Sequence, residues 1–334
     1  MFLLKHVHVP YSAVLDSPEV QRDAEVFASS PVEAIDTSSE VLCVLQGEVA
    51  AASPGDGPSG LGSDSATTCH IVAFRIPSSG RTCLSHLDSP REVAAATACM
   101  LRLVSRVGGG GGGEEEEEEE EEPLDLYVVG GYLGKSCAEE LTSALFSALH
   151  ESRRPFRVVL ACMARLNSVP VPARDGWLPR QTGLAVDVAT GRSYPVRFEG
   201  AGRGPGWEAR SSRIFAGSRA EALTEIYDPR TDSVVVSPFP VYVDLRWLLQ
   251  MLALPDRQLL AQTSTSPEAE DERFVDDIRA QFSYMVAQSG PGGRAWLRNV
   301  FGGGRGSSLE FPRAAAAAAA AARGSGKAAV GAVG

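Results

Sequence analysis

Two apolar runs, residues 68–76 and 81–87, flank Pro77-Ser78-Ser79-Gly80, and this pairing restricts the fold more than any other feature of the chain. Strand-forming residues on both sides of a turn-forming tetrapeptide read as an antiparallel hairpin. With those four residues as the loop, Ile76 faces Arg81, and opposed residue numbers sum to 157. Asp88 then falls opposite Cys69, and His86 opposite Ile71. Side chains alternate between faces along a strand, so Cys69, His86 and Asp88 share one face, with Cys69 and His86 as diagonal neighbours. His70, although next to Cys69, points to the other face. A one-residue bulge or a change of one residue in the loop would reverse this assignment.

Around the hairpin, strand-like and helix-like signals alternate. Residues 41–45, 124–129, 156–163, 183–188, 193–198 and 233–236 read as strands. Helices are expected over residues 89–107, with Ser89 as N-cap and Pro90 at the first position, and over 136–151, 247–252 and 274–286. Hairpins mixed with strand–helix–strand units predict an α+β fold: a layered, mostly antiparallel, sandwich-like sheet core flanked by helices. Residues 1–301 are expected to form a single catalytic domain. Gly108 to Gly113 followed by nine glutamates, 114–122, reads as a solvated, disordered insertion. From Gly302 to Gly334 the chain is Gly- and Ala-rich and is expected to be a disordered tail.

Composition narrows the class of function. The formal charge of the 334 residues is −11, but nine of those charges are the glutamate run, so the remainder carries −2. That balance offers no general attraction to nucleic acid or to an acidic membrane. The six cysteines contain no CxxC pair, which disfavours a zinc site or a disulfide framework and suits a reducing compartment. The apolar run at the N-terminus is too short for a signal peptide, and the nine alanines from 314 to 322 are too few to cross a bilayer. A soluble, intracellular protein working without cofactor or metal is expected.

The hairpin face carries the parts of a thiol nucleophile. A free cysteine titrates near about 8.5 and is mostly protonated at neutral pH, but an adjacent imidazolium stabilises the thiolate and can then protonate a leaving amine, so His86 and Cys69 are expected to rest as an ion pair. A third group usually fixes the ring, and Ser63, Asp64 and Asp88 are all within reach; the sequence does not choose among them. The polar segment ahead of Cys69 supplies backbone N–H groups for an oxyanion hole. The alternative reading makes Cys69 a small buried hydrophobe and His86 a partner for a backbone group. Cys43, Cys83, Cys99, Cys137 and Cys162 read as packing residues, and Gly130-Gly131 as a strand-end turn.

The segment Gly62-Ser63-Asp64-Ser65-Ala66-Thr67-Thr68-Cys69-His70-Ile71-Val72, with Thr82-Cys83-Leu84-Ser85-His86 and Asp88, closely resembles the protein N-terminal asparagine amidohydrolase family. Val128-Val129-Gly130-Gly131-Tyr132, Ile226-Tyr227-Asp228, Ser264-Thr265-Ser266-Pro267, Phe274-Val275 and Ile278-Arg279 extend the likeness in order, over about residues 1–286. The resemblance implies hydrolysis of the side-chain amide of an N-terminal asparagine to aspartate and ammonia, with Cys69 as nucleophile. It implies a place in the N-degron pathway, in cytoplasm and nucleus, upstream of an arginyl-transferase and of ubiquitination. The separation of 17 between Cys69 and His86 also resembles bacterial chemoreceptor glutamine deamidases with a Cys–His–Thr triad on a layered β-rich fold. On that pattern His86 is the base and Ser63 stands where their threonine stands. Asp64, Asp88 and Thr68 are the expected substrate contacts, a carboxylate being the natural partner of the α-ammonium. The partners implied are proteins beginning with Asn, met by a monomer. The chain departs from animal members in its acidic insertion, its alanine-rich tail and Phe2, a bulky residue that should block removal of Met1.

Overall fold

A computed structural model describes residues 2–4, 7–9, 11–37, 40–106, 122–173, 176–215, 223–237, 239, 242–288, 294–296 and 309–313. The strands that build the site are β1 (Glu48–Ala52), β2 (Gly60–Ser63), β3 (His70–Arg75), β4 (Thr82–Leu87), β5 (Leu124–Gly130) and β6 (Phe156–Met163). The helices around them are α1 (Pro18–Ser29), α2 (Val93–Val104), α3 (Ser136–Glu151), α4 (Leu245–Leu252), α5 (Asp256–Thr263) and α6 (Phe274–Ala287).

The eight-stranded sheet runs Thr224–Glu225, β1, β4, β3, β5, β6, Phe2–Leu4, Val7–Val9. The half that carries the hairpin is antiparallel, β1 to β4, β4 to β3 and β3 to β5. Most pairings in this sheet are antiparallel as expected, that of Phe2–Leu4 with Val7–Val9 included, but β5, β6 and Phe2–Leu4 run parallel, as do β1 and Thr224–Glu225. The physical reason is α3. A sixteen-residue helix joins β5 to β6 and returns the chain to the same end of the sheet, so the two strands must run the same way.

A smaller sheet packs on this one, in the order Ser193–Tyr194, Leu184–Asp187, β2, Val41–Cys43. The layering follows from strand parity. Val72, Phe74, Cys83, Leu87 and Val128 face one way and share a core with Val93 and Met100 of α2 and Leu141, Leu145 and Phe146 of α3. Ile71, Ala73, Leu84 and Val129 face the other way and meet Leu61 and Leu184 of the smaller sheet and Phe27 of α1. Each side chain of this size is worth roughly 1.5–3 kcal/mol when fully buried, so both faces of the hairpin are held. A third cluster, with Leu248, Leu259, Ile278 and Phe282, ties α4, α5 and α6 together.

Several boundaries differ from the sequence reading. The helix expected from Ser89 begins at Val93, after a turn in which Glu92 N–H donates to Ser89 O at 3.2 Å. Cys137 is exposed near the start of α3, whereas Cys43, Cys83, Cys99 and Cys162 are buried. In the expected tail, Leu309–Pro312 forms a strand antiparallel to Ser233–Val236, and Leu309 and Phe311 pack against the core between the sheets. The rest of that tail, and the insertion from Gly108 to Glu121, lie outside the described residues. Among the described residues no helix is long and apolar enough to cross a membrane.

Candidate functional site

The hairpin has the register its loop length dictates. Ile71 pairs with His86, His70 with Leu87 and Arg75 with Thr82, so opposed numbers sum to 157 throughout. The loop is closed by Ile76 N–H to Arg81 O at 2.9 Å and Gly80 N–H to Ile76 O at 2.8 Å. His86 therefore lies on the face of Ile71 and Leu84, between the two sheets, where Cys69 also packs. His70 projects to the opposite face, against α3.

The two histidines have different partners. His70 Nε2 lies 2.9 Å from Thr142 Oγ1, whose own hydrogen goes to Ala138 O at 2.9 Å. The ring must then be the donor in this pair, which fixes the proton on Nε2. A Cβ on Gly131 would stand 2.6 Å from the His70 ring, so the glycine is what lets this imidazole lie flat on the chain. His86 Nδ1 instead lies 2.8 Å from Ser63 Oγ, and its buried Nε2 has no partner among the described residues. Ser63 is the last residue of β2, held by pairing with Leu184, so it reaches His86 from the other sheet. If Ser63 accepts from Nδ1–H, Nε2 presents a bare lone pair.

Cys69 sits one residue ahead of β3, half-buried. Its carbonyl lies under Gly130, where a Cβ would stand 2.2 Å from the oxygen, and Gly130 has φ +125°. The thiol makes no hydrogen bond to His86 or Ser63 among the described contacts; the structure joins Ser63 to His86, and Cys69 packs on the same side of the sheet. Burial pushes the thiol up, and the charges of Asp88 and Glu270 push the same way, against a hydrogen bond from Thr68. Burial likewise lowers His86 to about 4, outweighing Asp88 and Glu48. Both groups are therefore neutral at rest, which differs from an imidazolium–thiolate pair. His70 is lowered by burial to about 3.

The remaining expected residues separate. Asp88 accepts from Gln46 Nε2, and Gln46 bridges His86, whose carbonyl accepts from Gly47 N–H at 2.9 Å. Asp64 accepts from Phe198 N–H at 2.7 Å and lies 3.9 Å from Arg273, so it ties the site loop to a neighbouring strand. Thr68 Oγ1 meets Thr265 Oγ1 at 3.1 Å. Ser65 has φ +59°, a left-handed turn that carries the chain out of β2 towards Cys69. Among the described residues the N–H groups of Thr68 and Cys69 donate to no carbonyl. No group of three His, Cys, Asp or Glu residues is gathered as for a metal among the described residues.

Sequence reasoning missed Gln46 and Glu270. Both reach the site through topology: Gln46 through the pairing of β1 with β4, Glu270 from the segment before α6. The only signal for Glu270 was the hydroxyl-rich Ser264-Thr265-Ser266-Pro267 ahead of it. Comparison with known proteins shows which family the chain belongs to. The sequence model of the family described as protein N-terminal asparagine amidohydrolase matches residues 31–299. The chain belongs to that family. Among relatives of this amidohydrolase-family chain, the human protein N-terminal asparagine amidohydrolase is 31% identical over 297 residues, 86% of this chain and 88% of that protein. The mouse protein of the same name is 32% identical over 291 residues, 84% of this chain and 86% of that one. The Arabidopsis thaliana protein of that name is 26% identical over 252 residues, 68% and 67% of the two chains. The family match in this chain encloses Ser63, Cys69, His86, Asp88 and Glu270.

Proposed function

We propose that this chain hydrolyses the side-chain amide of an N-terminal asparagine, giving N-terminal aspartate and ammonia through a thioester on Cys69. Membership of the amidohydrolase family supports the substrate. The single observation that carries the mechanism is the Ser63–His86 hydrogen bond on the hairpin face shared by Cys69. Ser63 orients the ring, and the unpartnered Nε2 is the proton carrier. Because thiol and imidazole are both neutral at rest, the proton passes from sulfur to Nε2 as sulfur attacks the carboxamide carbon. The developing oxyanion is received by the N–H groups of Thr68 and Cys69. The imidazolium then gives its proton to the departing nitrogen, which leaves as ammonia. Water attacks the thioester with Nε2 taking its proton, and aspartate departs as the thiol is restored. A glutamine side chain, one methylene longer, would carry its carbonyl past the sulfur. Side chains, two backbone N–H groups and one water supply every step.

The layered arrangement and the spacing from Cys69 to His86 support a kinship with chemoreceptor-type cysteine deamidases, and residues 1–301 are read as one catalytic unit. The product, an N-terminal aspartate, is what an arginyl-transferase of the N-degron pathway would extend before ubiquitination, in cytoplasm or nucleus. Peptides starting with Asn, Gln and acetylated Asn, followed by mass and ammonia release, test the reading. Turnover of the first alone is expected. Hydrolysis of all three would make the protein a broader deamidase, and hydrolysis of none a binding adaptor. Cys69→Ala should abolish turnover with the fold retained.

A further inference from the structure

A cleft of about 340 Å³ opens beside the loop that leads to Cys69, lined on one side by Asp64, Ser65 and Thr67 and on the other by the segment before α6. Five carboxylates line it: Asp64, Glu268, Glu270, Asp271 and Asp277. Four of them have cationic neighbours. Glu268 pairs with Lys135 at 2.6 Å, Asp271 with Arg273 at 2.7 Å, Asp277 with Arg203 at 2.6 Å, and Asp64 has Arg273 at 3.9 Å. Glu270 makes no ion pair among the described residues.

It is nevertheless held firmly. Ser264 directs its hydroxyl at Glu270 Oε1, Thr67 does so from 3.5 Å, and Ser266 Oγ donates to Thr67 Oγ1 at 2.9 Å. Oε2 receives none of these bonds. The same segment meets Thr68 through Thr265, so the carboxylate is fixed to the two residues that precede the nucleophile. A half-buried carboxylate set by the hydroxyls of Ser264 and Thr67 and lacking a cation is a receptor for one, since hydroxyls orient the group without neutralising it.

We infer that Glu270 receives the α-ammonium of the substrate, an inference that rests on the amidohydrolase reading above. The α-nitrogen and the carboxamide carbon of asparagine are joined by a short run of bonds. A carboxylate anchored on Thr67 therefore suits an ammonium whose own side chain enters at Cys69. Pairing would also offset one of the two negative charges, those of Glu270 and Asp88, that oppose the thiolate. An internal or acetylated asparagine has no ammonium to seat there. Asp88 is the rival carboxylate, but it already accepts from Gln46 Nε2.

The test is calorimetric binding in a Cys69→Ala background, using an Asn-initiated peptide and the same peptide lacking only its α-amine. Glu270→Gln should weaken the free-amine peptide by about 10–100-fold, the range for losing one hydrogen bond to a charged group. Affinity for the desamino peptide should be unchanged. Glu270→Asp, which keeps the charge, should recover part of the preference. Equal losses for both peptides, no loss for either, or a preference abolished by Asp88→Asn instead would overturn the assignment. Ammonia release by the unmodified enzyme is scored separately. Its absence would overturn the amidohydrolase reading, while the binding ratios would still decide the role of Glu270.

Discussion

At the scale of single residues, burial rather than charge sets the resting state of the site. His86 is 4% exposed and lowered to about 4, so its ring stays neutral well below the ordinary value of about 6.5. We predict no acid limb near pH 6.5 in kcat/KM for an Asn-initiated peptide, with loss of rate only as pH falls towards about 4. The same shift bears on stability. Between the unfolded value of about 6.5 and the folded values of about 4 and about 3 for His86 and His70, the unfolded chain holds more protons. Both contributions are fully present above the unfolded value and are lost as pH drops through that window. The urea midpoint should therefore fall with acidification, and His86→Gln should flatten part of the slope; an unchanged slope would contradict the assignment. Ser63→Ala should lower kcat by about 10–100-fold with little effect on KM, because it removes the ring's orientation and no substrate contact.

At the scale of elements, the hairpin and the glycine above it do the positioning. A side chain at Gly130 would meet the Cys69 carbonyl and would also be forced to φ +125°. Gly130→Ala should cost about 1–3 kcal/mol of stability and should reduce turnover beyond what that loss explains, which denaturation and kinetics together can separate. The register of β3 and β4 was legible because a four-residue loop with Pro and Gly fixes parity, and parity alone separates His86 from His70. α3 was legible from end to end because its apolar periodicity is strong. β1 was missed because Glu48-Val49-Ala50-Ala51-Ala52 is buried on both faces and shows no alternation. β2 was missed because Gly60-Leu61-Gly62-Ser63 is short and glycine-rich. Ser63 was one of three candidates in the sequence and was singled out only by the resemblance to bacterial deamidases, since its approach to His86 depends on one sheet docking on the other. Gln46 and Glu270 likewise lie far from Cys69 in sequence, where no local pattern points to them.

At the scale of the molecule, a fully buried ion pair fastens the layers around the site. Arg210 bonds both oxygens of Glu48 at 3.0 and 2.6 Å, and donates to Cys43 O at 2.7 Å. It thus links β1 in the large sheet to a strand of the small one. Arg210→Met should destabilise by about 3–5 kcal/mol, since Glu48 would be left buried without its partner. Glu48→Gln combined with Arg210→Met should recover much of that loss, measured by chemical denaturation. The Ser63–His86 hydrogen bond crosses this same junction, and it makes the reaction a gauge of clearance between two plates. Slight parting of the plates would silence the enzyme while each sheet kept its ladder. Heat should therefore extinguish turnover several degrees before circular dichroism reports melting. A tight-binding substrate analogue should draw the two temperatures together by bolting the joint shut.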